Sequence, residues 1–398
     1  MLPLTPTSRR YPWGSPTAIP HALGMSSDGS ALAEAWFGAH PSGSAIIELD
    51  EGATTLEADI AADPVRTLGA DVVARFGPQL PYLLKLIAAD SPLSLQVHPD
   101  VAGARAGFAA EEASGTPIDA PSRSYRDTRH KPELLYALTT FEALVGFRAP
   151  RRAAELFDGL DAPLAREVRA MLAAEPGAHG IRTVFEHLLS PATRPGSAAV
   201  TGVVDACTAR LWDGSPSPRA DRRVLSLAEY FPGDPAVVAS LLLNPVTLTP
   251  GDAVFVPART VHAHLSGLAV EIMANSDNEL RGGLTAKHVD VPALLSTVDY
   301  TAAPPLRIAP EVFFGSTRVY YAPVDDFELS VTTLDDDAVH PLPGRGPRVV
   351  LCLDGEATVS AADGTSLALG RGGACFVPAT DGALTVRGRG TVVQADVP

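Results

Sequence analysis

The sequence predicts a mainly β chain built from two β-barrel units, with a helical block set between strand-rich segments. Three observations predict it. Short apolar or alternating runs, bounded by Pro, Gly and Asp, fill residues 1–148 and return from residue 246 onward; such runs read as strands joined by tight turns. Apolar residues at helical spacing fill residues 149–243 instead. An internal repeat then appears: LTPGDAVFVPA at residues 248–258 matches LGRGGACFVPA at residues 369–379.

Taken in order, SAIIEL, YLLKLIAA, LSLQVH and ELLYAL are the strand candidates of the first segment, and the 36 prolines and 34 glycines of the chain supply its many turns. In the middle segment Leu164, Val168 and Leu172 recur every four residues. Ile181, Val184, Phe185, Leu188 and Leu189 form a second helical stripe, and Val200, Val203, Val204, Cys207 and Leu211 a third. Pro176-Gly177 and Pro195-Gly196 separate them. Asp234-Pro235 reads as an N-cap and first-turn proline opening a helix through AVVASLLL. The repeat predicts that one barrel unit occurs twice. Its copies diverge downstream: the first continues RTVHAHL and supplies His262, whereas the second continues TDGALTV without a histidine. The unit at residues 316–398 is therefore expected to hold no metal.

The chain has 398 residues, enough for more than one core. Hydrophobic content of 46% with 19% charged residues excludes a disordered chain. The net charge of −15 disfavours nucleic acid and anionic membranes as partners, although local Lys and Arg can still line a pocket for a small anion. Cys207, Cys352 and Cys375 form no CxxC pair, so neither a disulfide framework nor a thiolate zinc site is indicated. No apolar leader and no run of membrane-spanning length appear, and a cytoplasmic monomer is the expectation.

Gln96 and His98 stand two residues apart in LSLQVHPD, as do Lys131 and Glu133 in RHKPELLYAL. On extended chain, alternate side chains share a face. With His262, which follows the short run GDAVFVPA, they make a mixed nitrogen and oxygen donor set suited to a borderline divalent ion such as zinc. Spacing alone leaves manganese, iron and cobalt open, and does not separate His262 from His264. Taken singly, each residue has a plainer reading, a satisfied core histidine or a solvated strand glutamate. Trp13 and Trp36 are likewise more often packing residues than sugar platforms.

Five motifs carry a family resemblance over nearly the whole chain: YPWG at residues 11–14, AEAWFGAHPSG at 33–43, LSLQVHPD at 93–100, HKPELLYALTTFEALVGFR at 130–148, and VHAHLSGLAVEIMANSDNELRGGLTAKHVDV at 261–291. The chain resembles the type I phosphomannose isomerases of the cupin superfamily. The resemblance implies two cupin-type, jelly-roll barrels plus an α-helical domain. It divides the chain into a discontinuous catalytic barrel (1–148 and 244–315), a helical insertion (149–243) and a C-terminal barrel (316–398). It implies one zinc ion per chain on Gln96, His98, Glu133 and His262, and an active-site arginine at Arg281. Lys85, Ser94, Lys131, Asp277 and Lys287 match polar positions of the family's pocket. Two positions depart from the pattern: His264 replaces a usual aromatic residue, and Glu279 a usual small apolar one.

The implied reaction interconverts mannose 6-phosphate and fructose 6-phosphate by moving a proton between C2 and C1 through an enediolate. Arg281, Lys131 and Asp277 are the candidates for catalysis, with Asp277 or a lysine of depressed pKa as the base. Lys85, Ser94, Lys287, Trp13 and His130 are the candidates for substrate contacts, His130 also for ring opening. The competing readings are a sugar-binding regulator and an iron-dependent oxygenase. The oxygenase would more often use two histidines and a carboxylate without glutamine.

Overall fold

The computed structural model describes residues 1–49, 52–335 and 338–398. Two antiparallel sheets of eleven strands each organise them, with a helical block against one. The strand His262–Ala274 is the spine of the first sheet. It pairs with Leu95–Val97 and Phe141–Phe147 through its first half and with Tyr82–Ala89 and Glu133–Ala137 through its second. The change of partners occurs at a bend. The register shifts between His264 and Ser266, and Gly267 follows with φ of 115°. A Cβ at Gly267 would lie 2.5 Å from the carbonyl oxygen of Thr140. Only glycine both adopts that conformation and tolerates that approach.

Alternation along these strands sorts the side chains. Leu84, Leu86, Leu134, Val270 and Ile272 face a core shared with Phe327, Leu329, Val349, Leu351 and Phe376 of the second sheet. Their neighbours Lys85, Glu133 and Glu271 are buried on the opposite face, inside the barrel. At the other end Leu95, Val97, Val261, Ala263 and Leu280 face out into the core of the helical block. That core includes Leu164, Val168, Leu172, Val184, Phe185, Val200, Val203 and Cys207, as their spacing predicts. Gln96, His98 and His262 alternate with those residues and so turn inward.

The helix at Pro235–Ala239 begins as expected: Asp234 accepts a hydrogen bond from the backbone N–H of Ala236 at 2.8 Å. It is shorter than AVVASLLL suggests, passing into a 3₁₀ turn at Ser240–Leu242 and then a strand. The first segment is less purely β than its apolar runs imply. Leu56–Ala62, Pro64–Leu68, Ala70–Phe76 and Val101–Ala113 are helices, and side-chain oxygens of Thr55, Asp63 and Asp100 cap three of them. These capping signals were present in the sequence and outweigh the strand reading there.

The repeat is real in three dimensions. Gly251 and Gly372 both take positive φ, followed by the buried strands Ala253–Val256 and Ala374–Val377. Phe255 and Phe376 meet in the shared core. The second sheet is not confined to residues 316–398. Leu2–Thr5 pairs with Ala374–Val377, and Ile46–Leu49 and Gly52–Thr55 continue the sheet outward. An open strand edge needs a partner, and the N-terminal strands provide it. Tyr82 fastens the two sheets by donating to the carbonyls of Pro347 and Ala395 at 3.1 and 3.0 Å.

The second sheet also buries an acid pair. Glu328 stands opposite Asp396, on paired strands. Burial, then the neighbouring Asp396, pushes Glu328 up to about 8. Burial pushes Asp396 up to about 6 against the pull of Arg348. Both folded values exceed the ordinary 4.5 and 3.8, so the folded chain holds these protons more tightly. Their contribution to stability is full below about pH 4 and is lost as pH rises through 6 to 8. Glu328→Gln should therefore gain about 1–2 kcal/mol over the parent at pH 8, with no gain at pH 4.5. Urea midpoints at the two pH values measure this; parallel pH slopes for the two proteins would contradict it.

Candidate metal centre

Three buried groups converge inside the first barrel. Glu133 opens the strand Glu133–Ala137, His262 opens the spine strand, and His98 follows Leu95–Val97. Ligand atoms of all three lie within 4.8 Å of one another. His98 Nε2 is 3.0 Å from Glu133 Oε1, and His262 Nε2 is 3.4 Å from Glu133 Oε2. All three residues are at most 2% exposed.

The tautomers follow from the outer partners. His98 Nδ1 donates to the carbonyl of Asn278 at 2.7 Å, and His262 Nδ1 donates to the carbonyl of Thr260 at 3.0 Å. A carbonyl can only accept, so each neutral ring presents its Nε2 lone pair inward. Burial first, then the charge of Lys131, pushes His98 down to about 4. Glu133 is held well below the usual carboxylate range: burial would raise it, but His98 and Lys131 override that cost. His98 Nε2 and Glu133 Oε2 make no hydrogen bond. Electron-rich atoms facing one another in a dry interior are costly unless a cation sits among them.

Gln96 stands opposite His262 in the sheet. Its amide nitrogen, rather than the oxygen expected as a ligand, faces His262 Nε2 at 3.2 Å, and its oxygen accepts from Ser94 at 3.3 Å. The lone pair of His262 attracts the donor side of the amide. A half-turn about the last side-chain bond would present Oε1 instead.

Other candidates separate into those at the centre and those engaged elsewhere. Lys131 Nζ lies 3.5 Å from Glu133 Oε1. Burial would lower its pKa, but Glu133, Glu279, Asp277 and Glu34 together raise it. A lysine of depressed pKa is therefore not found at this position. Asp277 is held by His40 Nε2 at 3.4 Å and by the Ser42 hydroxyl. The N–H of Ser42 donates to His40 Nδ1, so His40 turns its own N–H toward Asp277. Arg281 pairs with Glu279, and Lys287 lies 4.9 Å from the centre of the Tyr11 ring. His130 faces the other way, its Nε2 3.0 Å from Asp326; on extended chain it must point opposite to Lys131. Trp13 stacks on Tyr11 and packs against the barrel core. Trp36 donates to Glu34 at 2.8 Å and lies under Arg9.

Lys85 is engaged by two carboxylates. It stands opposite Glu271 in the sheet, contacts its carboxylate, and lies 3.5 Å from Glu34. Glu271 also belongs to a second buried trio with Glu133 and His264, but the Lys85 ammonium already neutralises it. His264 keeps both ring nitrogens without a hydrogen bond, and burial pushes it down to about 3. Sequence reasoning missed Glu34, His40, Glu271 and Asn278. A signal existed for one pair: single opposite charges in YLLKLIAA and LAVEIMA, two otherwise apolar strands. Nothing local marks the Asn278 carbonyl as the support of His98.

Lys85→Met should destabilise the metal-stripped protein by about 3 kcal/mol, because it leaves Glu271 and Glu34 buried without a counter-charge. Adding Glu271→Leu should recover much of that loss. Thermal or urea unfolding of the single and double variants measures both; a single variant as stable as its parent would show that this charge pair is not needed.

The comparisons with known proteins bear on the same region. A model of the catalytic domain of type I phosphomannose isomerase matches residues 1–150, and one of the mannose-6-phosphate isomerase cupin domain matches residues 316–397. The mannose-6-phosphate isomerase of Escherichia coli (strain K12) is 36% identical over 389 residues, covering 97% of each chain. That of Mus musculus is 30% identical over 424 residues, covering 96% of this chain and 95% of its own. A variant of phosphomannose isomerase from Salmonella typhimurium superposes with a TM-score of 0.90 at 33% identity, over 100% of this chain and 99% of its own. A zinc-bound mannose 6-phosphate isomerase superposes at 0.89, with the same identity and coverage.

Proposed function

Because the chain belongs to the type I phosphomannose isomerase family, we propose that Gln96, His98, Glu133 and His262 hold the zinc ion with which it interconverts mannose 6-phosphate and fructose 6-phosphate. The observation that carries this assignment is the meeting of two inward Nε2 lone pairs with an ionised, partly unsatisfied carboxylate. Two neutral imidazoles, one carboxylate and one amide oxygen leave a zinc site net positive. Bound there, the ion would supply Lewis acidity to the carbonyl and neighbouring hydroxyl of the open-chain sugar.

The remaining work falls to the chain. Asp277 is the group we assign to carry the proton between C2 and C1. Its carboxylate is aimed by His40 and Ser42 and is partly open to solvent. Lys131 stays protonated and is therefore not the base. Arg281 and Lys287, on the segment after the spine strand, take the phosphate together with Lys131. Arg281 contributes a planar fork that lysine cannot reproduce.

The domain division goes with this reading: a catalytic barrel of residues 1–148 and 244–315, a helical insertion of 149–243, and a C-terminal barrel of 316–398. Three N-terminal strands are lent to the last. Arg348 supports the assignment of that barrel as metal-free. It pairs with Val377 as Glu133 pairs with Val256, and so puts a buried cation where the first barrel has its carboxylate. Among the described residues no helix is long and apolar enough to cross a membrane. A cytoplasmic monomer acting on a small sugar phosphate is the setting we assign.

His98→Ala should lose zinc at low free metal and turnover with it, while the apolar cores keep the barrel folded. Metal content by atomic absorption, read beside circular dichroism, decides this; full zinc retention would remove His98 from the ligand set. Arg281→Ala should raise the KM for mannose 6-phosphate at least tenfold if it grips the phosphate, and lower kcat by roughly 10²-fold if it also stabilises developing charge. Neither constant moving would take Arg281 out of the site.

A further inference from the structure

Glu279 and Arg281 flank Leu280, which is buried in the core of the helical block. Both therefore turn away from that core, toward the side of the strand on which the metal centre lies. Arg281 stands opposite Gln96 in the sheet. Its Nε is 2.8 Å from Glu279 Oε1, with the two side chains 20% and 24% exposed. That position is a lip rather than an open surface. Arg281 is the cation in direct contact with Glu279, and the charges of Arg281, Lys131 and Lys287 favour its ionised form against its burial. These are the same three cations that the functional reading gives to the substrate phosphate. A carboxylate so held is ionised throughout the neutral range and does not act as the proton carrier.

We propose that Glu279 is a specificity-determining residue, a resident counter-charge that weakens the pocket's grip on the dianionic phosphate of its substrate. Without it, the whole Arg281 fork would be open to the phosphate. With it, one negative charge is added to the cluster, and part of the Arg281 fork is already engaged when the phosphate arrives. The carboxylate and the phosphate thus compete for the same guanidinium. The consequence is a smaller preference for phosphorylated over neutral sugars and an easier release of the phosphorylated product. This inference rests on the assignment of Arg281, Lys131 and Lys287 as the phosphate clamp.

The test uses the zinc-loaded full chain with Glu279→Gln, which keeps length and a hydrogen-bond acceptor for Arg281 but removes the charge. The readouts are the KM for mannose 6-phosphate and the inhibition constants of inorganic phosphate and of unphosphorylated mannose. We expect KM for mannose 6-phosphate and the phosphate constant to fall about tenfold at low ionic strength, and the gain to shrink with added salt. The ratio of the mannose constant to the phosphate constant should rise by the same factor. An unchanged phosphate constant would overturn the proposal. So would a raised one, which would make Glu279 only a support for Arg281. Arg281→Ala, measured against inorganic phosphate in parallel, separates the two levels. If it weakens inhibition while Glu279→Gln changes nothing, only the role of Glu279 falls. If neither variant moves the phosphate constant, the phosphate is held elsewhere and the clamp itself falls.

Discussion

The burial of Glu133 is the constraint on which the rest of the centre depends. An ionised carboxylate in a dry barrel is sustained only by positive or donor groups around it. Here Lys131 lies beside it, while His98 after the strand Leu95–Val97 and His262 at the start of the spine turn lone pairs toward it, which leaves the place among them to a cation. Each is itself costly to bury. The imidazoles are kept neutral with one nitrogen tied to a carbonyl, and the ammonium is kept charged by nearby acids. The arrangement is electrically coherent only as a set, so removing any one member changes what the others can hold.

That set is delivered by a spine strand that changes partners midway. Gly267 and the adjoining bulge let His262–Ala274 pair with one group of strands and then another. The first half brings His262 to Gln96 and the second brings Met273 beside Glu133. The helical block matters for the same reason. It gives Leu95, Val97, Val261, Ala263 and Leu280 an apolar place outside the barrel. Period-two alternation then obliges Gln96, His262 and Arg281 to face inward. A helical insertion with no residue in the metal set still decides where that set points.

The second sheet contributes packing and a different electrostatic regime. Its core meets the back of the catalytic barrel through Phe255, Val270, Ile272, Phe327 and Phe376. Where the first barrel concentrates acceptors for a cation, the second buries Arg348, whose guanidinium reaches the carbonyls of Gly344 and Gly382. The strands paired with the two copies thus carry opposite charges at matching positions.

Much of this was legible in the sequence. The β and helical segments, the capping at Asp234, the repeat and the spacing of Gln96 with His98 and Lys131 with Glu133 are local patterns. Local patterns follow from bond geometry and from the two periods of the backbone. The family motifs added His262 to the set. Other features depended on the fold. Spacing could not separate His262 from His264, and it could not show that Gln96 stands across from His262 while both imidazoles lie near Glu133. It could not show that Lys85 is spent on Glu271 and Glu34, that His130 turns to Asp326, or that Glu279 meets Arg281 among the pocket's lysines. Nor could it show the N-terminal strands completing the C-terminal sheet. The physical reason is common to all of them. The worth of a charge or a strand edge is set by what lies across from it, and those neighbours are brought there by sheet register over tens to hundreds of residues.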